Sequence, residues 1–407
     1  MFLRLGWRNI WRNPRRTAVI MTAIIIGVWS MIFLGALMRG ITDEMVRNGI
    51  ATLTGHIQVH HKGYRDDPVI ENSMTNPRDV ETVLGKVLPA GSRWTSRVRV
   101  NAVVSNARHT AGVTFVGIDP SREAKVSFIG GAVAEGRYLK QDDKYGIVVG
   151  KALVDKFETK LGRKMLVMSQ DTEREIASRS FRIVGIFRSE MEATEKQYVF
   201  VTRTAAQHML KMKNEISEIS VVLPDSKEVD AVADSLRRTL PSADYEIQTW
   251  RELLPLITAY LSIYDGFIFI WFVVVFIAMG FGIVNTTLMA VFERMREFGL
   301  LKSLGMKPWW VIKEVLVESF FILMIGMIIG NIFSFLSVIA LSGTGIDLSS
   351  LAAGSEFVGI PKIIYPALYV KDVIGANLVV FVLGLVVSIY PAVKAARFTP
   401  IEALAHN

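Results

Sequence analysis

Residues 280–313, GFGIVNTTLMAVFERMREFGLLKSLGMKPWWVIK, decide how the whole chain is read. An apolar run with the character of a membrane helix gives way to a short charged segment, Glu293-Arg294-Met295-Arg296-Glu297-Phe298-Gly299-Leu300-Leu301-Lys302, and a second apolar run follows. The charged piece is too short to bury a core of its own, and it is clamped between hydrophobic spans. As an ordinary amphipathic loop helix its charges would only keep it wet; its natural role is to contact something.

Composition sets the frame around this stretch. The 407 residues are 51% hydrophobic with a mean hydropathy of +0.36, too apolar for an ordinary soluble protein, yet the middle of the chain stays polar. A membrane protein with one large water-exposed domain fits. The net charge of +8 does not indicate nucleic acid, because the positive residues cluster beside apolar spans, as the positive-inside rule requires. Cysteine is absent, which excludes disulfides and thiolate chemistry. His56, His60 and His61 alternate with Ile57 and Val59 as in a strand, and no metal spacing accompanies them. No nucleophile elbow or convergent set of catalytic groups occurs, so no catalytic, cofactor-binding or metal residue is assigned.

Outward from the charged stretch, Thr249-Trp250-Arg251-Glu252 has the pattern of a capping box. It predicts a helix that runs through Pro255 and continues without a break into a second span at 267–290. A cytoplasmic helix at 291–310 then leads to a third span at 315–341, with Glu314 and Glu318 near its polar end. Gly326 and Gly330 form a G-x-x-x-G that lets helices approach closely. A Gly- and Ser-rich loop at 342–371, a fourth span at 373–390 and a cytoplasmic tail at 391–407 complete this half.

At the other end, Leu3, Trp7, Ile10 and Trp11 recur at helical spacing among Arg4, Arg8, Arg12, Arg15 and Arg16, which predicts an amphipathic surface helix over 1–16 ended near Pro14. The first span, 17–38, would be roughly 33 Å long, enough to cross the hydrocarbon core. Five arginines before it and only Arg39 after it place the N-terminus, and with four spans the C-terminus, in the cytoplasm. Residues 40–262 contain no window able to span and alternate strand-like and helix-like stretches, an α+β domain outside the membrane.

The motifs also resemble a known family. Asn285, the Glu293-Arg294 pair, Glu297, Gly299, Leu301 and Gly305 resemble the coupling stretch of FtsX/MacB-type ABC transporter permeases. The ending Pro391-Ala392-Val393-Lys394-Ala395-Ala396, with Pro400-Ile401-Glu402-Ala403-Leu404, resembles that family's closing signature. Val116-Gly117-Ile118-Asp119-Pro120, the run 146–151, Leu161-Gly162 and 181–187 look like the periplasmic domain of the lipoprotein-releasing (LolC/LolE-like) permeases. As single motifs, the glycines and Asp119-Pro120 are equally well read as turn residues.

The resemblance implies an integral membrane α-helical fold of the type VII ABC, MacB-like kind: four transmembrane helices with a large α+β periplasmic domain between helices 1 and 2. That domain would have porter-like flanks and an inserted lobe at about 120–215. Residues Glu293, Arg294, Arg296, Glu297, Gly299, Leu301 and Gly305 would couple to a cytoplasmic ABC ATPase dimer. Glu318, with Gly326 and Gly330, would serve helix contacts. No G-x-x-x-x-G-K-[ST] occurs in these residues, so ATP and Mg would be held by the partner ATPase, a departure from MacB, whose ATPase is fused.

Further expected partners are a second permease chain, identical or not, membrane lipid, and a lipoprotein cargo with its periplasmic acceptor; the site of action would be the bacterial inner membrane. Trp29, Phe33, Phe267 and Phe269 would face the cargo's lipid between the first two spans, although aromatics facing bilayer look the same. The alternatives are a MacB-like exporter of peptides or small molecules and an FtsX-like regulator of a cell-wall hydrolase. The large outer domain weighs against the regulator.

Overall fold

The computed structural model describes residues 2–347 and 363–398. The middle of the loop at 342–371 and the Pro-x-Glu-Ala-Leu ending at 400–404 lie outside the described residues. The described residues divide into two compact units: 2–43 with 260–347 and 363–398, and 44–259.

The first unit is helical. Helix α1 (Phe2–Ile10) is followed by α2 (Pro14–Gly49), whose proline opens the helix at a position where its missing N–H costs nothing. Helix α2 continues well beyond the 17–38 expected from hydropathy. The remaining bundle comes from the C-terminal half of the chain, and its core is Ile24, Val28 and Met31 against Phe272, Ile283, Leu323 and Val380.

The second unit is built on a ten-stranded sheet in the order β10-β1-β9-β2-β3-β8-β5-β7-β4, with β6 pairing β2 and β7. The strands are β1 (Ile57–His61), β2 (Arg93–Ser105), β3 (Thr110–Ile118), β4 (Val133–Gly136), β5 (Gly146–Gly150), β6 (Lys164–Gln170), β7 (Ile176–Phe187), β8 (Tyr198–Thr202), β9 (Glu218–Val222) and β10 (Tyr245–Thr249). Short helices, from α3 (Pro77–Val87) to α10 (Trp250–Leu253), cover it. Parallel pairs, β3 with β8 and β5 with β7, sit among antiparallel ones. Strands β1 and β10 pair antiparallel, Ile57 opposite Thr249. Strand β2 is long enough to serve two neighbourhoods: Arg93 to Arg97 pair with β9, and Val98 to Ser105 with β3. The changeover thus falls inside β2, upstream of residue 120, where the inserted lobe is expected to begin.

The capping box forms, with Thr249 and Glu252 bonded reciprocally, but it caps only α10. Leu254 leaves the helical region at φ −118° and ψ 64°, because the residue before a proline is crowded out of the α conformation. Pro255 then starts α11 (Pro255–Glu293), so the expected unbroken helix is two helices.

Helices α12 (Met295–Ser303), α13 (Pro308–Ser342) and α14 (Val370–Arg397) finish the first unit. Helices α2, α11, α13 and α14 are each long and apolar enough to cross a membrane. Lipid tails give helices no hydrophobic reason to associate, so close packing has to hold them. A Cβ at Gly326 would lie 2.7 Å from Ile24, and one at Gly330 2.9 Å from Val28. The G-x-x-x-G therefore brings α13 against α2.

Candidate functional site

Helix α12 is short because its ends are fixed chemically. Glu293 closes α11, Arg294 turns the chain at φ −104°, and Gly305 takes φ +94°, a conformation a side chain would strain. The amides of Gly305 and Met306 return to the carbonyls of Lys302 and Leu301, a Schellman ending. Pro308 then opens α13.

Four carboxylates meet the arginines here. The Arg294 guanidinium donates to Glu314 at 2.7 Å, to Glu318 at 3.1 Å and to Glu297 at 3.3 Å, and lies over the Phe298 ring. Arg16, from the first turn of α2, donates to the other oxygen of Glu318 at 3.1 Å and to Glu293 at 3.2 Å. Arg12, in the link between α1 and α2, holds Glu297 from the far side at 3.0 Å, and Asn9 of α1 donates to Glu314 at 3.0 Å.

Glu314, Glu318, Arg16 and Arg294 are all nearly buried, so each charge depends on its partners, and the network fixes geometry more than it adds stability. The Arg12 hydrogen bond, against the opposing effect of partial burial and with help from Arg294, holds the Glu297 carboxyl below the usual carboxylate range. On the opposite side, the Lys302 ammonium caps α14 by donating to the carbonyls of Ala396 at 2.7 Å and Phe398 at 2.6 Å. An apolar seam of Val291, Phe298, Val311, Val315, Ala392 and Ala395 closes beneath.

Helix α12 is therefore docked to the N-terminal segment, α13 and α14 at once. Of the residues expected to couple, Arg294 and Glu297 point into this network and Gly299 is buried, while Glu293, Arg296 and Gly305 are exposed and Leu301 is half-buried. Leu300 and Leu304 carry the outward face. Sequence reasoning assigned Arg12 and Arg16 to the lipid surface and gave Asn9 no role. The signal available was charge complementarity between a basic N-terminus and four glutamates.

A second feature is an apolar groove of about 390 Å³ between α2 and α11, lined by Leu34, Met38, Tyr264, Phe267, Trp271 and Phe272 among others. Of the four aromatics expected to face lipid, Phe267 lines it. Phe269 is exposed outside its lining, and Trp29 stacks on Phe33 and donates to Ser337 of α13 at 3.0 Å. Among the described residues one carboxylate cluster has metal-like spacing, Asp171, Glu173 and Glu175, but the Lys211 ammonium bonds all three.

Residues 17–239 match the MacB-like periplasmic core domain, and residues 267–400 match the FtsX-like permease C-terminal region. The chain belongs to the FtsX/MacB-type permease family. Along 96% of its length the permease is 22% identical to the lipoprotein-releasing system transmembrane protein LolC of Neisseria meningitidis, spanning 94% of it. It is also 22% identical, over 99% of its length, to the macrolide export ATP-binding/permease protein MacB of Marinobacter nauticus, of which it spans 60%. An uncharacterized ABC transporter permease of Methanocaldococcus jannaschii is 22% identical over 67% of the chain and 65% of its own length. The periplasmic region of MacB from Actinobacillus actinomycetemcomitans aligns over 52% of this permease and 97% of that chain, with 14% identity and a TM-score of 0.37.

Proposed function

We propose that this permease receives ATP-driven motion at α12 from a separate ATPase dimer and passes it to the extracytoplasmic domain, releasing an acylated lipoprotein from the outer leaflet. Both termini then lie in the cytoplasm, and a second permease chain completes the assembly. The observation that carries the reading is the docking of α12: a force on its exposed Arg296, Leu300 and Leu304 is delivered through Arg294 to α13 and through Lys302 to α14. A buried ion-pair network suits that task, since it resists slipping between arrangements.

The groove between α2 and α11 supports the choice of cargo, because acyl chains need an apolar trough open to the bilayer. Lifting a chain out costs about 0.8 kcal/mol per methylene, on the order of 10 kcal/mol for a long acyl chain, which calls for coupling to ATP. The test is release of a radiolabelled acylated lipoprotein from proteoliposomes holding the permease and its co-purified ATPase, with a soluble acceptor outside. Release that needs ATP and falls in Phe267→Asp supports the reading. ATP hydrolysis with the lipoprotein retained refutes the cargo. The chain-long match to MacB favours a second reading, export of a small molecule or peptide, which a transport assay on the same vesicles separates.

A further inference from the structure

The extracytoplasmic unit has a polar cleft that the transport reading does not use. Cross-strand register sets His60 of β1 opposite Glu218 of β9, and Glu218 opposite Arg97 of β2. Arg97 is fully buried. Its guanidinium donates to Glu123 at 2.8 and 2.9 Å, to Glu218 at 3.0 Å and to the carbonyl of Leu53, a residue held at φ +67°. Beside this row opens a cleft of about 300 Å³, within the size range of small-ligand sites, lined by Gln58, His60, Tyr64, Arg65, Arg99 and Glu218 among others.

The hydrogen-bond network fixes the state of His60. The Gln58 amide donates to the Leu53 carbonyl at 2.9 Å, which turns its oxygen toward His60 Nε2, also at 2.9 Å. Nε2 therefore donates and Nδ1 is left as an acceptor. Burial pushes the imidazole down to about 4, so it stays neutral near pH 7. Among the described residues Nδ1 finds no hydrogen-bond partner, although the side chain is 2% exposed and stacks on Tyr64. A buried acceptor in a cleft needs a donor. Of the charged groups lining the cleft two are arginines and one is a carboxylate, and that carboxylate is already held by Arg97 from behind. Arg99 reaches Glu218 at no closer than 3.5 Å, lies 5.9 Å from the Tyr198 ring and is one-third exposed, which leaves a guanidinium edge for an anion.

We propose that this cleft binds a carboxylate with an N–H beside it, the chemistry of a free α-amino acid or of a peptide's C-terminal residue. The N–H donates to His60 Nδ1 and the carboxylate sits on Arg99, with Arg65 adding charge at the rim. No bond is made or broken. The site does not depend on what the helical unit carries.

Titration calorimetry of the full chain in detergent tests this with four probes: Ala-Ala-Ala, its C-terminal amide, free alanine and inorganic phosphate. The acid tripeptide is expected to bind about tenfold or more tightly than the amide, the difference a charge-assisted hydrogen bond makes. Arg99→Gln abolishes that preference; His60→Phe weakens acid and amide alike. Free alanine binding as well as the tripeptide assigns the site to amino acids, and tripeptide binding alone assigns it to peptide ends. Phosphate binding equally well, a preference that survives Arg99→Gln, or no heat at millimolar probe overturns the proposal. Should His60→Phe not fold, the variant at the one-third exposed Arg99 still decides it.

Discussion

Two charged nodes hold the helical unit, and they are built differently. The node beside α12 joins four glutamates to Arg12, Arg16 and Arg294 with much of the charge buried. The node at the other end of α2 centres on one residue. Arg39 donates to Asp372 of α14 at 2.7 Å and to Asp265 of α11 at 2.8 Å, with the Tyr264 and Tyr369 rings at 4.6 and 5.2 Å. Asp265 is half-exposed there and also takes Lys371 at 3.0 Å. In the first node the nearly buried Glu314 and Glu318 both lean on Arg294, so one loss strands two charges; in the second only Asp372 is nearly buried, and Asp265 can turn to water. The contrast teaches where rigidity lies: at the end that carries α12, where the proposed force arrives.

Removing the centre of each node should separate them most clearly. Arg294→Met leaves Glu314 and Glu318 short of a partner in a nearly buried site, and a loss of about 3–5 kcal/mol is expected in detergent unfolding. Arg39→Met strands only Asp372, since Asp265 keeps Lys371 and water, so about 1–3 kcal/mol is expected. Equal losses would break the comparison.

Lys371→Ala, an exposed pair, should cost less than about 1 kcal/mol. A smaller effect still is the pH response at Glu297. Its folded carboxyl lies below the ordinary value, so its contribution is present above about 4.5 and is lost as pH falls through the folded value. Comparing wild type with Glu297→Gln in acid unfolding should show the gap closing below pH 4.5. A gap that persists there would show that the Arg12 contact does not set the shift.

Much of this was legible beforehand. Four spans, an α+β insert and a short charged helix all follow from hydropathy and residue alternation, which are local signals. The capping box at Thr249 was also readable, yet its helix stops at Leu254 because a single proline outweighs the apolar continuity after it. The nodes were not legible. Arg16 and Glu293 are 277 positions apart, and Asn9 and Glu314 are 305 apart, so no window in the sequence holds both members. Positive residues beside a span have a lipid explanation ready, and it hid their protein partners. The apolar groove was half legible for a similar reason: Phe267 lines it, but Trp29 bonds Ser337 of α13 and stacks on Phe33, and composition does not distinguish one side of a membrane helix from another.

The central claim is that α12 presents its Leu300 and Leu304 face to an ATPase while Arg294 and Lys302 hold its other side to the bundle. The chain has no cysteine, so single cysteines can be placed without background. With the co-purified ATPase, a maleimide-benzophenone attached to Leu304→Cys, at a position 82% exposed, should on irradiation insert into C–H bonds of the ATPase chain, and the yield should change when ATP is added. Ile270→Cys, exposed on α11 within the membrane-spanning stretch, should give no such adduct. An ATPase adduct at neither position, or one from Ile270 alone, would contradict the account.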